Sequence, residues 1–576
     1  MVVLNSKRSV YELVDQRSAL YSARPIDKRF RQAMRENFAF MDPTPIWRVQ
    51  RKIAVRYLAP EKLDSDLDKV SNAEITTLLN DLLDSPEDFI KHVERSTASF
   101  TAIVLYGQRA KSNDDFWARG VYEAMEAIMR AISPGSYLPA EQFPIFKLIP
   151  KQFDPSFARA EEGYAIPTRI WTEAQRRVEL RRSHGDKRES LIDDLLNAEK
   201  ELDPEFQGTM LANYLGTVMQ AAAETSALST KTNIMFLATH PEVQDKAQAE
   251  IDAVCGVERL PCFSDFKDMP YINCVVKESQ RIRPVVPTGI PHRCTQDNWY
   301  NGMLIPKDAT IIIPHWALHH SKYEDAETYN PDRYLNHPHL AWEYAGTKDF
   351  ENRDHYNYGA GRRICAGIQL AERTQWRQVA RILWAFRIEH AVDEKTGEKI
   401  PIDLDAYEDK MVCGPEPFKV KFTPRSQAHV DLIRKEVGDT YGIDPGAPSS
   451  PDLQIYGVSM FHQIHCLISI RDVFYRLLAG EYNASDYHKS GPDEEVSELY
   501  ARVNGHTSHC FDYIRQGIQC AGDITLEGPS ADLRQNIIGM GTMHHNCKSF
   551  DVARDFMLQH QPTEWKAWYP NPEDPV

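Results

Sequence analysis

The sequence predicts a mainly α-helical chain with small β-sheets, followed by a small, mostly helical second domain. Three observations carry this expectation. Apolar residues recur at helical spacing through most of the chain up to about Phe386. Strand-like runs are few, short and late. Between Thr423 and Ser450 the sequence turns polar and closes on Asp444-Pro445-Gly446-Ala447-Pro448-Ser449-Ser450, a composition that favours turns over packed structure.

In chain order, Val10, Leu13, Val14 and Leu20 predict a helix from Lys7 to Tyr21, and Pro25 stops it. Further helical patterns run over Ala73–Leu83, Asp115–Ile132, Leu191–Lys200 and Gln207–Thr239. Strands are expected at Met303–Leu304, Thr310–Ile313 and Phe418–Phe422. This organisation places a first domain at 1–424, a linker at 425–450 and a second domain, dense in His, Cys and aromatic residues, at 451–576. No repeat of solenoid period is present.

The formal net charge of -16 gives no attraction for phosphate backbones or anionic lipid, so nucleic acid is excluded as an expected partner. No run approaches the roughly 20 apolar residues that span a bilayer, and Met1–Arg24 has no signal-peptide core. The ten cysteines do not form a disulfide scaffold in a chain of this length; six lie before residue 420 and four in the tail.

The sharpest motif is Tyr358-Gly359-Ala360-Gly361-Arg362-Arg363-Ile364-Cys365-Ala366-Gly367, which leads into a helical pattern through Leu370, Trp376, Val379, Ile382 and Leu383. A cysteine at a helix N-terminus meets unpaired N–H groups and the positive end of the helix dipole, which favour a thiolate; Gly361 and Gly367 let the backbone turn sharply and approach a metal. The stretch resembles the haem-binding loop of cytochromes P450, with Tyr358 in place of the commoner Phe. The resemblance implies haem b with Cys365 as the axial thiolate, a ligand that pushes electron density towards bound oxygen and favours O–O cleavage.

Three further motifs agree in order. Glu278 and Arg281, one helical turn apart, resemble the family's structural triad, which Arg333 of Tyr329-Asn330-Pro331-Asp332-Arg333 would complete. Alone, such a pair is most often a solvated one of little energetic worth. Ala221-Ala222-Ala223-Glu224-Thr225-Ser226 resembles the oxygen-activating segment, with Ala222 where Gly is usual. It implies that Thr225 bonds oxygen and Glu224 delivers protons; by itself, an Ala-rich helix is more often packing. Haem propionates need buried donors, and the resemblance assigns them Trp47, Arg51, His292 and Arg363.

Val3-Leu4-Asn5-Ser6, Gly289-Ile290-Pro291-His292-Arg293 and Tyr300-Asn301-Gly302 bring the first domain nearest to membrane-type P450s of fungal secondary metabolism. Their anchor, proline hinge and first strand have no counterpart in this sequence. The expectation is either a shortened chain or a soluble variant; the family's place is the endoplasmic reticulum surface, the cytoplasm is the alternative, and membrane contact stays open. The family implies an NADPH-cytochrome P450 reductase as electron donor, since no flavin- or nucleotide-binding motif is present, and a small-molecule substrate read by variable segments such as 132–158.

In the tail, His462-Gln463-Ile464-His465-Cys466 is matched by His506-Thr507-Ser508-His509-Cys510. On a helix each motif presents two imidazoles and a thiol on one face, a set that suits copper, zinc or iron, with copper first by affinity. Disulfides among Cys466, Cys510, Cys520 and Cys547, or histidines satisfied in a core, are the competing readings. The run from His509 to Asp523 resembles the UstYa family, oxidases of fungal peptide natural products. That implies a second oxidative activity and a peptide natural product as substrate. Asn483-Ala484-Ser485 is a glycosylation sequon. Three organisations follow: a bifunctional tailoring oxidase, a single monooxygenase with a docking tail, or two neighbouring genes read as one.

Overall fold

The computed structural model describes residues 1–441, except 26, 134, 136–142, 151–152 and 199–201, together with 457–458 and 526–527. The chain divides into two units, Met1–Pro448 and Ser449–Val576.

The first unit is built on ten long helices among the described residues: α1 (Pro45–Tyr57), α2 (Asp66–Asp84), α3 (Phe89–Tyr106), α4 (Phe116–Ile132), α5 (Ser156–Ser183), α6 (Thr209–Thr239), α7 (Pro241–Val254), α8 (Pro270–Ile282), α9 (Ile368–Ala385) and α10 (Gln427–Tyr441). Local chemistry sets several ends. The Thr44 hydroxyl accepts the Trp47 N–H at 3.2 Å with Pro45 in the first turn of α1, the Asp115 carboxylate caps α4 through the Trp117 N–H at 3.0 Å, and Gly107 ends α3 in the left-handed region. The central helix α6 is buried over most of its circumference, as befits a helix inside rather than on a core. At Gly216 a Cβ would lie 2.1 Å from the Trp171 ring, so only glycine admits the close approach of α5.

Helices α2, α3, α6 and α9 close a ring, α2 against α3, α3 against α6, α6 against α9 and α9 against α2. The sheets are small. β1 (Val2–Val3) pairs in parallel with β5 (Thr310–Ile312), which pairs antiparallel with β2 (His292–Arg293); β3 (Asn298–Tyr300) pairs with β4 (Met303–Ile305), and β6 (Phe386–His390) with β7 (Val420–Pro424).

Several expectations shift. Lys7–Tyr21 is not one helix: α-helical Lys7–Val10 runs into a π-helical turn, Tyr11–Asp15, and a separate turn, Ser18–Tyr21. The wider turn still buries Val10, Leu13 and Val14 while bringing Asp15 onto the Cys365 loop. The helix expected at Ala73–Leu83 starts at Asp66, and that at Leu191–Lys200 covers Leu191–Asn197. Within the stretch expected as a linker, α10 packs on α2, burying Ile433 and Val437, with Arg434 bonded to Asn80 and Asp84; its apolar face overrides the polar composition. In the second unit, β8 (Gly457–Val458) pairs antiparallel with β9 (Leu526–Glu527). His462, His465, Cys466, His506, His509 and Cys510 lie outside the described residues. Among the described residues no helix is long and apolar enough to cross a membrane.

Candidate functional site

A cavity of about 310 Å³ opens between α1, α3, α6, the strand region after α8 and the loop before α9, within the roughly 300–1,000 Å³ typical of cofactor and ligand sites. Trp47, Arg51, Thr225, His292, Arg363 and Cys365 all line it, although they lie far apart in sequence. Gly367 lines it too; Glu224 does not.

Cys365 sits two residues before Gly367, the N-cap of α9, and its N–H is held by the Tyr358 carbonyl at 2.8 Å. Cys365 is exposed to the cavity that it lines. Burial pushes the thiol pKa up; the Gly367 N–H and the Arg51 guanidinium oppose this, favouring the thiolate. The loop is clamped from outside. Asp15 accepts the Gly361 N–H at 2.7 Å, and Arg353 donates to the Gly359 carbonyl. Gly361 has φ +61°, and a Cβ there would fall 2.2 Å from the Val14 carbonyl, so this glycine answers to the π-helical turn packed on it. Gly367, by contrast, has φ -98°, and a Cβ would meet only Leu58 at 3.7 Å; the protein itself does not demand a glycine or a sharp turn here.

The cavity wall carries excess positive charge. Burial holds the Arg24, Arg51 and Arg363 guanidinium groups below their ordinary values. The carboxylate that opposes this at Arg24 and Arg363 is Asp42, which also pairs with Arg31 at 2.9 Å and Arg293 at 3.3 Å. Buried cations short of counter-ions fit a ligand bearing carboxylates, and a cysteine sulfur facing the same space fits a metal at its centre. These residues therefore fit haem: Cys365 could supply the ligand to its iron, and the guanidinium groups could hold its carboxylates.

Two rim expectations change in detail. The Trp47 indole N–H is taken by the Phe38 carbonyl at 3.1 Å, the partner a buried indole needs; its ring instead supports Arg363, whose guanidinium lies 4.1 Å above it. His292 bonds the Tyr21 carbonyl through Nδ1 at 2.7 Å, so Nδ1 carries the proton. Burial lowers its pKa to about 3, which leaves a neutral ring offering a lone pair at Nε2, not a donor. Arg24 is the rim residue that sequence reasoning misses. It bonds the Ala39, Ile290 and Pro291 carbonyls, and nothing in its Ser22-Ala23-Arg24-Pro25 context marks it.

On α6, the Thr225 hydroxyl donates to the Ala221 carbonyl at 2.6 Å and keeps its lone pairs for the cavity. Burial pushes the neighbouring Glu224 up to about 7, against the influence of Lys231 and Lys410, and its Oε2 is buried without a hydrogen-bond partner. Behind the loop, Glu278 and Arg281 are both fully buried and joined by two bonds, 2.7 and 2.9 Å; Arg333 reaches Glu278 at 3.3 Å. The structure thus brings the three triad residues together.

Residues 1–422 match the family model for Cytochrome P450, and residues 433–560 match that for Mycotoxin biosynthesis protein UstYa. Cytochrome P450 monooxygenase macC of Penicillium terrestre is 34% identical over 447 residues, covering 75% of this chain and 83% of the relative. Cytochrome P450 monooxygenase atE of Aspergillus terreus is 37% identical over 393 residues, covering 68% and 73%. A zebra fish cytochrome P450 solved with progesterone superposes with a TM-score of 0.59 at 22% identity, over 73% of this chain and 93% of that one, a likeness of fold. The family implies haem-thiolate iron, a reductase partner and small-molecule substrates, and its fold is what the sequence predicts. The chain belongs to the cytochrome P450 family and is an oxidoreductase of the monooxygenase kind.

Proposed function

We propose that this protein oxidises a C–H bond of a fungal secondary metabolite, with Cys365 as the thiolate ligand of haem b. The observation that carries the reading is one cavity in which the Cys365 sulfur and the under-neutralised Arg24, Arg51 and Arg363 face the same space. Haem, when bound, supplies the activation of dioxygen for insertion of one oxygen atom.

The chain's own residues prepare that site. The Gly367 N–H and Arg51 favour negative charge on the Cys365 Sγ, and Arg24 and Arg363 would hold the propionates. His292 joins them only if the propionates raise its pKa enough to protonate Nε2. Burial raises Glu224 to about 7, so it can hold and release a proton near neutral pH, and Thr225, next to it on α6, presents a hydroxyl to the cavity through which protons enter. Val285, Val286, Ile290 and Ile313 supply an apolar wall for a lipophilic substrate.

The ferrous carbon monoxide difference spectrum of the full chain tests the reading. A red-shifted Soret band that Cys365→Ala abolishes is expected; an imidazole-type spectrum, or failure to bind porphyrin, overturns it.

The UstYa match over 433–560 favours a second reading, in which His462, His465, Cys466, His506, His509 and Cys510 hold a metal, copper first, that oxidises the same intermediate, a peptide natural product. Copper measured beside iron in the purified full chain, and lost with His465→Ala and His509→Ala while the Soret band persists, supports it. Iron without copper leaves the tail as a docking module.

A further inference from the structure

The cavity does not end at the cysteine loop. Ser71 and Glu74 of α2, Ser96 of α3, Ser229 of α6 and Thr374 and Gln375 of α9 also line it, so it extends into the ring of four helices. Thr374 lies roughly 9 Å along α9 from its first residue, well beyond the loop. The helices are clamped at this level: Arg377 pairs with Asp68, and Arg381 bonds Asn72 and Thr76, so α9 is fixed against the stretch of α2 that carries Ser71.

Polar groups in this lobe are left unpaired by the protein. The Ser71 hydroxyl, the Thr374 hydroxyl and the Gln375 Oε1 have no hydrogen-bond partner, yet the three residues are 1%, 6% and 2% exposed. On one side of them, the Gln375 amide nitrogen donates to the Ser226 carbonyl at 3.0 Å, beside Thr225 on α6. On the other, the Glu74 carboxylate lines the lobe and pairs with Arg95 at 3.1 Å and Arg109 at 2.6 Å. Buried hydroxyl and amide groups are almost always satisfied, and a polar void offering several partners holds water where an apolar one stays dry.

We propose that this lobe is a built water site. Ordered waters bridge Ser71, Thr374 and Gln375 and complete a hydrogen-bonded line from the Glu74 carboxylate to the Ser226 carbonyl of α6. The ligand is water itself, held where α2, α6 and α9 line the cavity. It gives the oxygen-activating segment a hydration source through the Gln375–Ser226 bond. The inference does not depend on Cys365 being the metal ligand, because no bond in it involves the cysteine loop.

A crystal structure of the haem-loaded full chain at a resolution that shows water tests it directly. Waters within hydrogen-bond distance of the Ser71 Oγ, Thr374 Oγ1 and Gln375 Oε1 are expected; a lobe without solvent density overturns the proposal. The double variant Ser71→Ala with Thr374→Val gives an independent readout. If waters are anchored there, removing two anchors lowers the melting temperature by a few degrees. If the lobe is dry, the change removes two unpaired buried hydroxyls, the melting temperature rises, and the proposal fails.

Discussion

Replacing Glu278 by alanine tests whether the buried ion triad holds the core behind the cysteine loop. Glu278 accepts from Arg281 at 2.7 and 2.9 Å, from Arg333 at 3.3 Å and from the Asn330 N–H at 2.8 Å, and neither Glu278 nor Arg281 has any exposed side-chain surface. Removing the carboxylate leaves the Arg281 cation buried without a counter-ion, bonded to the Ala326 and Thr328 carbonyls and lying over the Tyr323 ring. Breaking such a pair from one side costs about 3–5 kcal/mol. An unfolding entropy of about 2.1 cal/mol/K per residue over the described first unit gives ~0.9 kcal/mol per degree, hence a fall of ~3–5 °C. Differential scanning calorimetry of the haem-loaded chain reads this shift. Removing both charges with Glu278→Leu and Arg281→Met is expected to recover more than half of it, since no uncompensated charge then remains; Arg333 keeps its own pair with Asp325 at 2.6 Å. A shift under ~1 °C for Glu278→Ala would place the triad among the pairs worth almost nothing, and the argument from burial would be wrong.

Asp15→Ala strips the Gly361 N–H of its acceptor and is expected to destabilise the loop by about 1–3 kcal/mol; a larger fraction of carbon monoxide complex lacking the red-shifted band, rescued by Asp15→Asn, supports this, and an unchanged spectrum refutes it. Arg51→Leu removes the cation that favours the Cys365 thiolate. Haem should dissociate more readily, on the order of tenfold for each 1.4 kcal/mol of attraction lost, as transfer to an excess of a haem-scavenging protein would report; an unchanged transfer rate refutes the role. Glu224 has a folded pKa of about 7 against an ordinary 4.5, so the folded state binds the extra proton and its contribution to stability is lost as pH rises through 7. Glu224→Gln lacks this dependence, and urea titrations should show it gaining about 2–3 kcal/mol on the parent between pH 5 and pH 8; parallel curves would refute the assigned burial. Thr225→Val keeps the shape of the side chain and removes its hydroxyl. Reductase-driven turnover should then divert NADPH electrons to peroxide, with product falling by roughly tenfold or more, while equal coupling would remove Thr225 from proton delivery.

How much could be read in advance follows from chain separation. The cysteine loop and the Glu278–Arg281 pair are legible because their residues are neighbours on one loop or one helical turn. The Glu224–Thr225 segment is legible in the same way, although only the folded chain shows that Thr225 lines the cavity and Glu224 does not. Arg24, Asp42 and Asp15 are invisible in sequence because they act on residues more than two hundred positions away: Arg24 bonds the carbonyls of Ile290 and Pro291, Asp42 pairs with Arg293, and Asp15 holds Gly361. Periodicity also hides the π-helical turn at Tyr11–Asp15, since Val10, Leu13 and Val14 suit an α-helix equally well. At the other end of the unit, α10 carries Ile433 and Val437 at helical spacing, but the turn-rich composition after it masks so short an apolar face.

The charge around the cavity explains why a fold retains groups that are individually unfavourable. Two propionates and a cysteine thiolate bring more negative charge than a ferric porphyrin core offsets, so an occupied site needs cations that an empty one would be better without. Arg24, Arg51 and Arg363 are the cations proposed for that task, and burial lowers the pKa of each, as it does for a cation held without a full set of counter-ions. The histidines nearby follow the opposite rule. His315, which lines the cavity, and His355 are buried with pKa values near 3 and stay neutral, so they fill space without adding to that charge. Cations with few counter-ions and neutral imidazoles facing one cavity are what a pocket requires when its ligand, and not its own carboxylates, completes the electrostatics.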